Sequence, residues 1–531
     1  MIRTEIKLPI KYTDRDVIEA VLHRLPIKRE DIKDFFIVRR ALNVKCKSEI
    51  HYDISVALAF EEQLEGRLLN LKNRVKPYEY KTLTLPSSHL RSRPIIIGFG
   101  PAGLFAALAF AQAGAKPIVY ERGLSIDERD SKVRLFNTLG ILDPECNIQF
   151  GEGGAGAYSD GKLKYGSPDE YKMWILEKLI EFGAPEDIIY STSAHVGTDK
   201  LSRIVKSIRE KIISLGGEVI FGARLSDVFI KNGRVVGGRV EKSGDFIDFS
   251  AENIILATGH SARDVFYLLK EKGAALTPRQ FGIGVRIEHP REYVDELIYG
   301  LDTPDGLGAA SYHLVTHLPT GRSVYSFCMC PGGEVVAASS EEGGIVTNGM
   351  SLHARDGRNS NSALLVSVSP SDFGDDALMG VRLQEKIERE AFLLSEKRYS
   401  APVQKLSDFL KGVPTKSLGA VKPTYPIGCS LTSIDAALPS FTTDSLRQGL
   451  ADFEAWLPGY LYPDAVLTAP ETRSTSPVRV ERGEDFSALG IEGLYPVGEG
   501  AGYSGGIISS ARDGLMCAVA LLRRECESNT N

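Results

Sequence analysis

No stretch of the sequence holds the roughly 18–20 consecutive apolar residues that a membrane span requires. The opening residues, M-I-R-T-E-I-K-L, carry an acidic residue and no long apolar core, so a secretory signal is not expected. Cysteine is sparse: Cys46, Cys146, Cys328, Cys330, Cys429, Cys517 and Cys526 are odd in number and scattered. That is not a disulfide framework, and it points to a reducing cytoplasm. H-E-x-x-H and G-x-x-x-x-G-K-[ST] are missing, and no nucleophile elbow is read. A metallopeptidase, a P-loop NTPase and an elbow-type hydrolase therefore lack support. No histidine or cysteine grouping has metal-ligand spacing, and no internal repeat is visible.

What is present is ordinary in amount and uneven in placement. At 531 residues the chain is too long for one compact core, and three units are expected. Charged residues at 25% and hydrophobic residues at 43% suit a soluble globular protein. The net charge of −6 hides an asymmetry, because residues 1–93 carry 19 Lys and Arg against 13 Asp and Glu. A solvated mixed-charge surface explains so modest an excess better than a nucleic-acid face does.

Residues 1–90 read as a small α+β unit. Ile2, Ile6 and Leu8 lie in a short strand pattern, and Asp14 can cap a helix with Val17, Val21 and Leu25 on its apolar face. Strands are expected from residue 35 to 44 and through the alternating Tyr52, Ile54, Val56, Leu58 and Phe60. The order suggests a ferredoxin-like layer without cluster-binding cysteines. Residues 76–93 have no sustained period and read as a linker. Beyond them, residues 218–240 suggest three short strands turning at Asn232 and Gly233. Residues 276–470 suggest a mixed sheet with helices around 380–396 and 444–454.

The chemistry begins at residue 95. A short apolar strand runs into G-F-G-P-A-G, then a small-residue helix, then a strand ending in Glu121. Gly98 permits the tight turn, Gly100 lets backbone amides reach a pyrophosphate, and Gly103 lets helix pack close to strand. Pro101 and Ala102 open the helix, whose N-terminus offers amides and partial positive charge to phosphates. Glu121, 18 residues after Gly103, can accept both ribose hydroxyl protons. The three glycines alone would be weak evidence, but with strand, helix and acid in place they indicate dinucleotide binding.

A second segment specifies which dinucleotide. Residues 493–514 contain a strand, then Gly498 and Glu499, then Gly505, Gly506 and Ile507 leading into a helix. With Ala257, Thr258 and Gly259 after another apolar strand, the order resembles the glutathione-reductase-like flavoprotein superfamily. In that superfamily such a C-terminal segment returns to the first domain, its acid bonds the ribityl chain and its helix faces the flavin. The strings at 150–163 (F-G-E-G-G-A-G-A-Y-S-D-G-K-L), 281–290 (F-G-I-G-V-R-I-E-H-P), 327–333 (F-C-M-C-P-G-G), 346–351 (V-T-N-G-M-S) and 476–480 (S-P-V-R-V) narrow it further. Over nearly the whole chain they resemble the family described as FAD-dependent, or NAD(FAD)-utilising, dehydrogenases. The resemblance implies a Rossmann-like fold and FAD, and leaves the substrate open.

Several further residues are candidates. Gly153 and Gly154 belong to a glycine loop whose amides can line the flavin or bind an anionic oxygen. Arg122 and Arg129, just past Glu121, can contact phosphates. Lys162 can balance the negative charge of reduced flavin, or form a surface salt bridge. Arg286, Arg355 and Arg473 can hold a substrate carboxylate bidentately, although structural ion pairs are the commoner role. His289, His313, His317 and His353 are single histidines, each more often structural than an acid or base. Cys328 and Cys330 are spaced C-x-C rather than C-x-x-C, so two small core residues on one strand face are expected in preference to a redox pair.

The expected architecture is α/β with α+β. A ferredoxin-like unit at 1–90 precedes a discontinuous FAD domain at 91–275 and 471–531, which encloses a substrate domain at 276–470. The expected function is hydride transfer between FAD and a small organic substrate, with NAD(P)H as a transient donor because no second G-x-G-x-x-G is present. A flavin monooxygenase of the hydroxybenzoate hydroxylase layout is the nearest rival. A flavin-dependent RNA-modifying or RNA-binding protein, tethered through residues 1–93, is another. Neither nucleotide loop carries a His or Cys suited to covalent flavin attachment.

Overall fold

The computed structural model describes residues 1–163, 169–301, 305–396 and 398–528. In the N-terminal unit, Ile2, Thr4, Ile6 and Leu8 are the buried face of the strand Ile2–Leu8, the period-2 pattern of a one-sided strand. Val17 and Val21, four apart, are the buried face of helix Asp14–Arg24. The cap of that helix is Thr13 rather than Asp14. The Thr13 hydroxyl accepts the Asp16 amide while the Asp16 carboxylate accepts that of Thr13, a reciprocal capping box. Asp34–Asn43, His51–Ala59, helix Glu62–Leu68 and Val75–Pro77 complete a β-α-β-β-α-β chain. The strand at 75–77 pairs with 2–4, so the stretch read as a linker from residue 76 starts as a sheet edge.

A second layer is a five-stranded parallel sheet, in the order Leu494–Pro496, Ile254–Leu256, Ile95–Ile97, Ile118–Glu121 and Glu218–Phe221. Every side chain of Ile95–Ile97 and Ile254–Leu256 is buried, as parallel strands covered on both faces require. Helix Pro101–Gln112 packs against helices Ile507–Ser528 and Thr198–Ser214. Small residues let them approach: a Cβ on Gly514 would overlap the Ala102 carbonyl. Residues Ala223–Lys231, Arg234–Lys242 and Asp245–Ser250 form a separate meander. Its first turn has Asn232 and Gly233 at φ 52° and 76°, the left-handed pair of a two-residue hairpin.

The third layer is a seven-stranded sheet. Its order is Val315–His317, Ser323–Cys330, Asn359–Val368, Phe281–Pro290, Val466–Glu471, Ala401–Lys405 and Cys429–Leu431. Neighbours are antiparallel except the final pair. Asn359–Val368 is buried throughout, which explains why it shows no alternation in the sequence. Helices Met379–Leu393 and Ser440–Trp456 pack on this sheet, a few residues displaced from the expected spans. Among the described residues no helix is long and apolar enough to cross a membrane.

Candidate active site

A cavity of about 460 Å³ lies where the parallel sheet meets the seven-stranded sheet. Its first wall is the turn between Ile95–Ile97 and helix Pro101–Gln112. Gly98 has φ 97°, and a Cβ there would overlap the Ala257 carbonyl. A Cβ on Gly103 would overlap the Gly98 carbonyl, so strand and helix touch with no side chain between them. Gly100 is the N-cap and Pro101 the first helical residue, where a missing amide costs nothing. The amides of Ala102 and Gly103 then lack intrahelical acceptors and form a positive helix end at the cavity.

Glu121 closes this wall and is buried. It accepts the Phe99 amide at 2.7 Å and the amides of Gly123 and Gly151 at 2.9 Å each. A carboxylate has about four acceptor positions. Three of them organise the loops and the fourth remains for a ligand hydroxyl. The glycine loop is held from a second direction, since Gly153 donates to the Phe99 carbonyl at 2.9 Å. Gly151, Gly153 and Gly154 all have left-handed φ, and Gly154 sits on Gly100 with no room for a Cβ to pass freely. Gly154 lines the cavity, whereas Gly153 does not, and a Cβ on it would press on Ala157 and Val205.

The two arginines after Glu121 part company. Arg122 lines the cavity, ion-paired to Glu145 at 2.8 Å and Asp264 at 3.0 Å, with its guanidinium 4.1 Å from the Phe150 ring centre. Arg129 corrects the sequence expectation of a phosphate contact. It is fully buried and donates to the carbonyls of Asn147, Glu152 and Ile148 at 2.8, 2.7 and 2.7 Å. Its donors are consumed by the backbone of the loop, and burial lowers its pKa. Arg129 shapes the glycine loop from beneath. Glu152, which the sequence did not single out, ties the same loop down by accepting the Ile126 amide at 2.8 Å and pairing with Arg209 at 2.9 Å.

The remaining glycine segments meet the first. Ala257, Thr258 and Gly259 line the cavity, with the Ala257 amide on the Ile97 carbonyl at 2.8 Å. Gly498, at φ 78°, donates to Asp513 at 2.7 Å. Glu499, Gly505, Gly506 and Ile507 line the opposite side, where helix Ile507–Ser528 begins. Burial pushes the Glu499 carboxyl up to about 7, partly offset by Arg279. His260, immediately after the A-T-G string, stands 3.8 Å from Glu499. Its burial, reinforced by Arg473 and Arg263, lowers it to about 3, so the imidazole is neutral at pH 7.

The expectation that a nucleophile elbow is absent needs one correction. Residues 502–506, G-Y-S-G-G, satisfy the bare G-x-S-x-G pattern. Ser504 Oγ shares its hydrogen bond with Ser510 Oγ at 2.8 Å and not with a histidine, so the string is a glycine turn.

The third wall comes from the seven-stranded sheet. Lys162 is ion-paired to Asp160 at 2.9 Å and donates to the Met329 carbonyl. Burial opposes its charge, but Cys330, Asp160 and Cys328 outweigh this and raise its pKa. Lys162 therefore lines the cavity and carries a buried salt bridge at once. Arg355 is spent on Asp160 at 2.9 Å. Arg473 lines the cavity with its guanidinium clamped on Glu388 at 3.0 and 2.8 Å. Arg286 is fully buried, 3.2 Å from Glu471, and does not line the cavity. All three arginines thus form the structural ion pairs that the sequence reading favoured.

Of the four histidines, His313 lines the cavity. His289 bonds the Tyr460 carbonyl at 2.9 Å, His317 bonds Ser323 at 2.9 Å, and His353 stacks on His195 at 5.1 Å. The two cysteines are not equivalent core residues. Cys330 is buried opposite Asn361, while Cys328 has φ 40° at a break in strand register and lines the cavity. A bulge of this kind leaves no trace in a C-x-C string.

The cleft fits FAD on its own geometry. Gly98 and Gly103 stand where a Cβ would collide, two helix N-termini meet the cleft, and one acceptor of Glu121 is left over. Among the described residues no three His, Cys, Asp or Glu side chains are grouped to hold a metal ion. Fold and cleft together define a FAD-dependent protein. Residues 280–474 match the family described as "FAD-dependent protein, C-terminal domain-like". The chain is 42% identical over 522 residues to a Clostridium beijerinckii protein described as "Uncharacterized protein", covering 96% of each. It belongs to the same family as that protein. It is also 29% identical over 188 residues to a thiamine thiazole synthase of Aeropyrum pernix, an alignment spanning 33% of this chain and 57% of that one. Among solved structures, the glycerol-3-phosphate dehydrogenase of Bacillus halodurans complexed with FAD covers 83% of this chain and 66% of its own. Its identity is 12% and its TM-score 0.33.

Proposed function

We propose that this chain holds FAD in the cleft between its two larger sheets and moves a hydride between the flavin and a small organic substrate, with NAD(P)H visiting the same cleft as donor. The observation that carries the reading is the meeting of residues 98–102, 257–259, 498–499 and 505–507 around one cavity whose facing wall is a different sheet.

When bound, the flavin supplies two-electron chemistry at its ring. The chain supplies position and charge. The first-turn amides of helix Pro101–Gln112 suit a pyrophosphate, and the remaining acceptor of Glu121 suits a ribose hydroxyl. The N-terminus of helix Ile507–Ser528 favours an anionic ring edge, and Lys162 adds a cation on the facing wall. Phe327 and Tyr312 give that wall apolar surface that limits water.

Purified protein is expected to be yellow and to bleach anaerobically on mixing with NADH or NADPH. A colourless protein that takes up no FAD overturns the reading. Oxygen uptake matched to nicotinamide oxidation, with a hydroxylated product, moves it to the monooxygenase class.

A further inference from the structure

Two sulfurs separated by one residue sit on the wall that faces the cleft, and their setting is unusual for a strand. In a regular strand, residues two apart point the same way with their Cβ atoms about 7 Å apart, beyond disulfide reach. Here the register of Ser323–Cys330 against Asn359–Val368 breaks between Phe327 and Cys330. Cys328 takes φ 40°, a left-handed conformation that strains a non-glycine residue. The turn folds Cys330 back, so that its Sγ donates to the Cys328 carbonyl oxygen at 3.2 Å.

The bulge is held by cations on both sides. Arg286 donates to the Cys328 carbonyl from both terminal nitrogens, at 3.2 and 3.1 Å, and stands 3.8 Å from Cys330 Sγ. Lys162 donates to the next carbonyl, that of Met329. Every peptide oxygen between the two sulfurs is thus fixed by a positive charge. The neighbouring Cys330 side chain, with Lys162 and Arg286, favours the Cys328 thiolate, while Cys330 keeps its proton. Cys328 lines the cavity and Cys330 lies behind it, a nucleophile in front of a partner. Packing alone does not explain a strained cysteine aimed into a cleft between two cations.

We propose that Cys328 and Cys330 are a two-electron dithiol–disulfide pair that exchanges electrons with the FAD of this cleft and carries them to or from a thiol- or disulfide-containing substrate. The inference rests on the flavin reading above. In the oxidising direction the Cys328 thiolate and the Cys330 thiol lose two electrons and one proton and form a sulfur–sulfur bond. Oxidised FAD takes up the same two electrons and proton, so charge and atoms balance. In the reverse direction the reduced pair attacks a substrate disulfide through Cys328, and Cys330 displaces the second substrate thiol. Arg286 and Lys162 are positioning residues, because they act through the backbone and charge of the pair.

The test is an anaerobic reductive titration of the full-length yellow protein after mild oxidation with diamide and its removal. Wild type is expected to take up about four electrons per flavin, two for each couple, whereas Cys328→Ser and Cys330→Ser take up about two. The oxidised tryptic peptide spanning both cysteines is expected to weigh two hydrogens less than the reduced one. Reduced protein, with or without flavin, should be alkylated at Cys328 by iodoacetamide with an inflection at lower pH than that of free N-acetylcysteine. Lys162→Met should move that inflection upward. A yellow wild-type protein that takes up two electrons, with no mass loss, overturns the pair and leaves the flavin reading standing. A colourless protein that binds no FAD overturns the flavin reading instead. If the serine variants lose flavin on folding poorly, the mass loss and alkylation profile of wild type decide alone.

Discussion

One oxygen of Glu121 receives the amide of Gly151 at 2.9 Å, thirty residues further along the chain. The acid at the end of the second parallel strand therefore fixes the glycine loop as well as the strand–helix turn, whose Phe99 amide it holds at 2.7 Å. Glu121→Gln keeps the shape but turns an NH2 group towards an N–H donor. The variant is expected to lose about 1–3 kcal/mol of stability even without flavin, from buried donors left unpaired. Denaturant midpoints of stripped protein measure this. Unchanged stability with weaker FAD binding would show a purely ligand-directed acid.

Arg129 tests the same loop from below. Arg129→Met removes the donors of three buried carbonyls. A loss on the order of 3–5 kcal/mol is expected, with faster amide exchange at Gly151, Gly153 and Gly154. A midpoint within about 0.5 kcal/mol of wild type would show that water replaces the guanidinium and that the loop does not depend on it.

The glycine turn at 98–103 was legible because its causes are local. Gly98, Gly100, Gly103 and Glu121 follow from what one strand, one turn and one helix can tolerate. Residues 257–259 and 498–507 were legible as a pattern shared with flavoproteins, and the strands that precede them, Ile254–Leu256 and Leu494–Pro496, pair in parallel on one sheet. Arg129 was misread because proximity to Glu121 in sequence says nothing of where backbone carbonyls converge. Cys328 was misread because a bulge depends on the neighbouring strand. Thr13 and Asp16 show the opposite case: T-x-x-D is a local signal, and the cap was one residue from the expected position. His260 had a signal in adjoining the A-T-G string, but its neutrality comes first from burial and then from Arg473, both of which depend on the fold.

Glu388 makes stability depend on acid. Burial alone would raise its carboxyl, but Arg263 and Arg473, bonded at 2.8–3.0 Å, outweigh this and hold it at about 2 against an ordinary 4.5. A depressed carboxyl stabilises the native state above its unfolded pKa, and that stability is lost as pH falls through the folded value. The window is therefore about pH 4.5 down to 2, and the loss is on the order of 3 kcal/mol. Urea midpoints of wild type should fall across it. Glu388→Gln should be destabilised at pH 7, by about 3 kcal/mol, because two buried guanidinium groups lose their shared buried carboxylate and keep only the partly exposed Glu341. It should also show a flatter acid limb, and a variant as steep as wild type would assign the acid sensitivity elsewhere.

Glu499 carries the opposite sign. Its carboxyl is pushed up to about 7 by burial against an ordinary 4.5, so the native state holds a proton that the unfolded chain releases. The stability linked to that proton is full below about pH 4.5 and is lost as pH rises through 7. Glu499→Gln, which cannot ionise, is expected to match wild type near pH 4 and to exceed it at pH 8, by on the order of 3 kcal/mol. The same titration changes charge at the wall beside the N-terminus of helix Ile507–Ser528 and next to neutral His260. FAD binding by wild type should therefore change between pH 6 and 8, and binding by the variant should stay level. Isothermal titration of stripped protein with FAD at a series of pH values separates the two, and parallel profiles would place the titrating group away from Glu499.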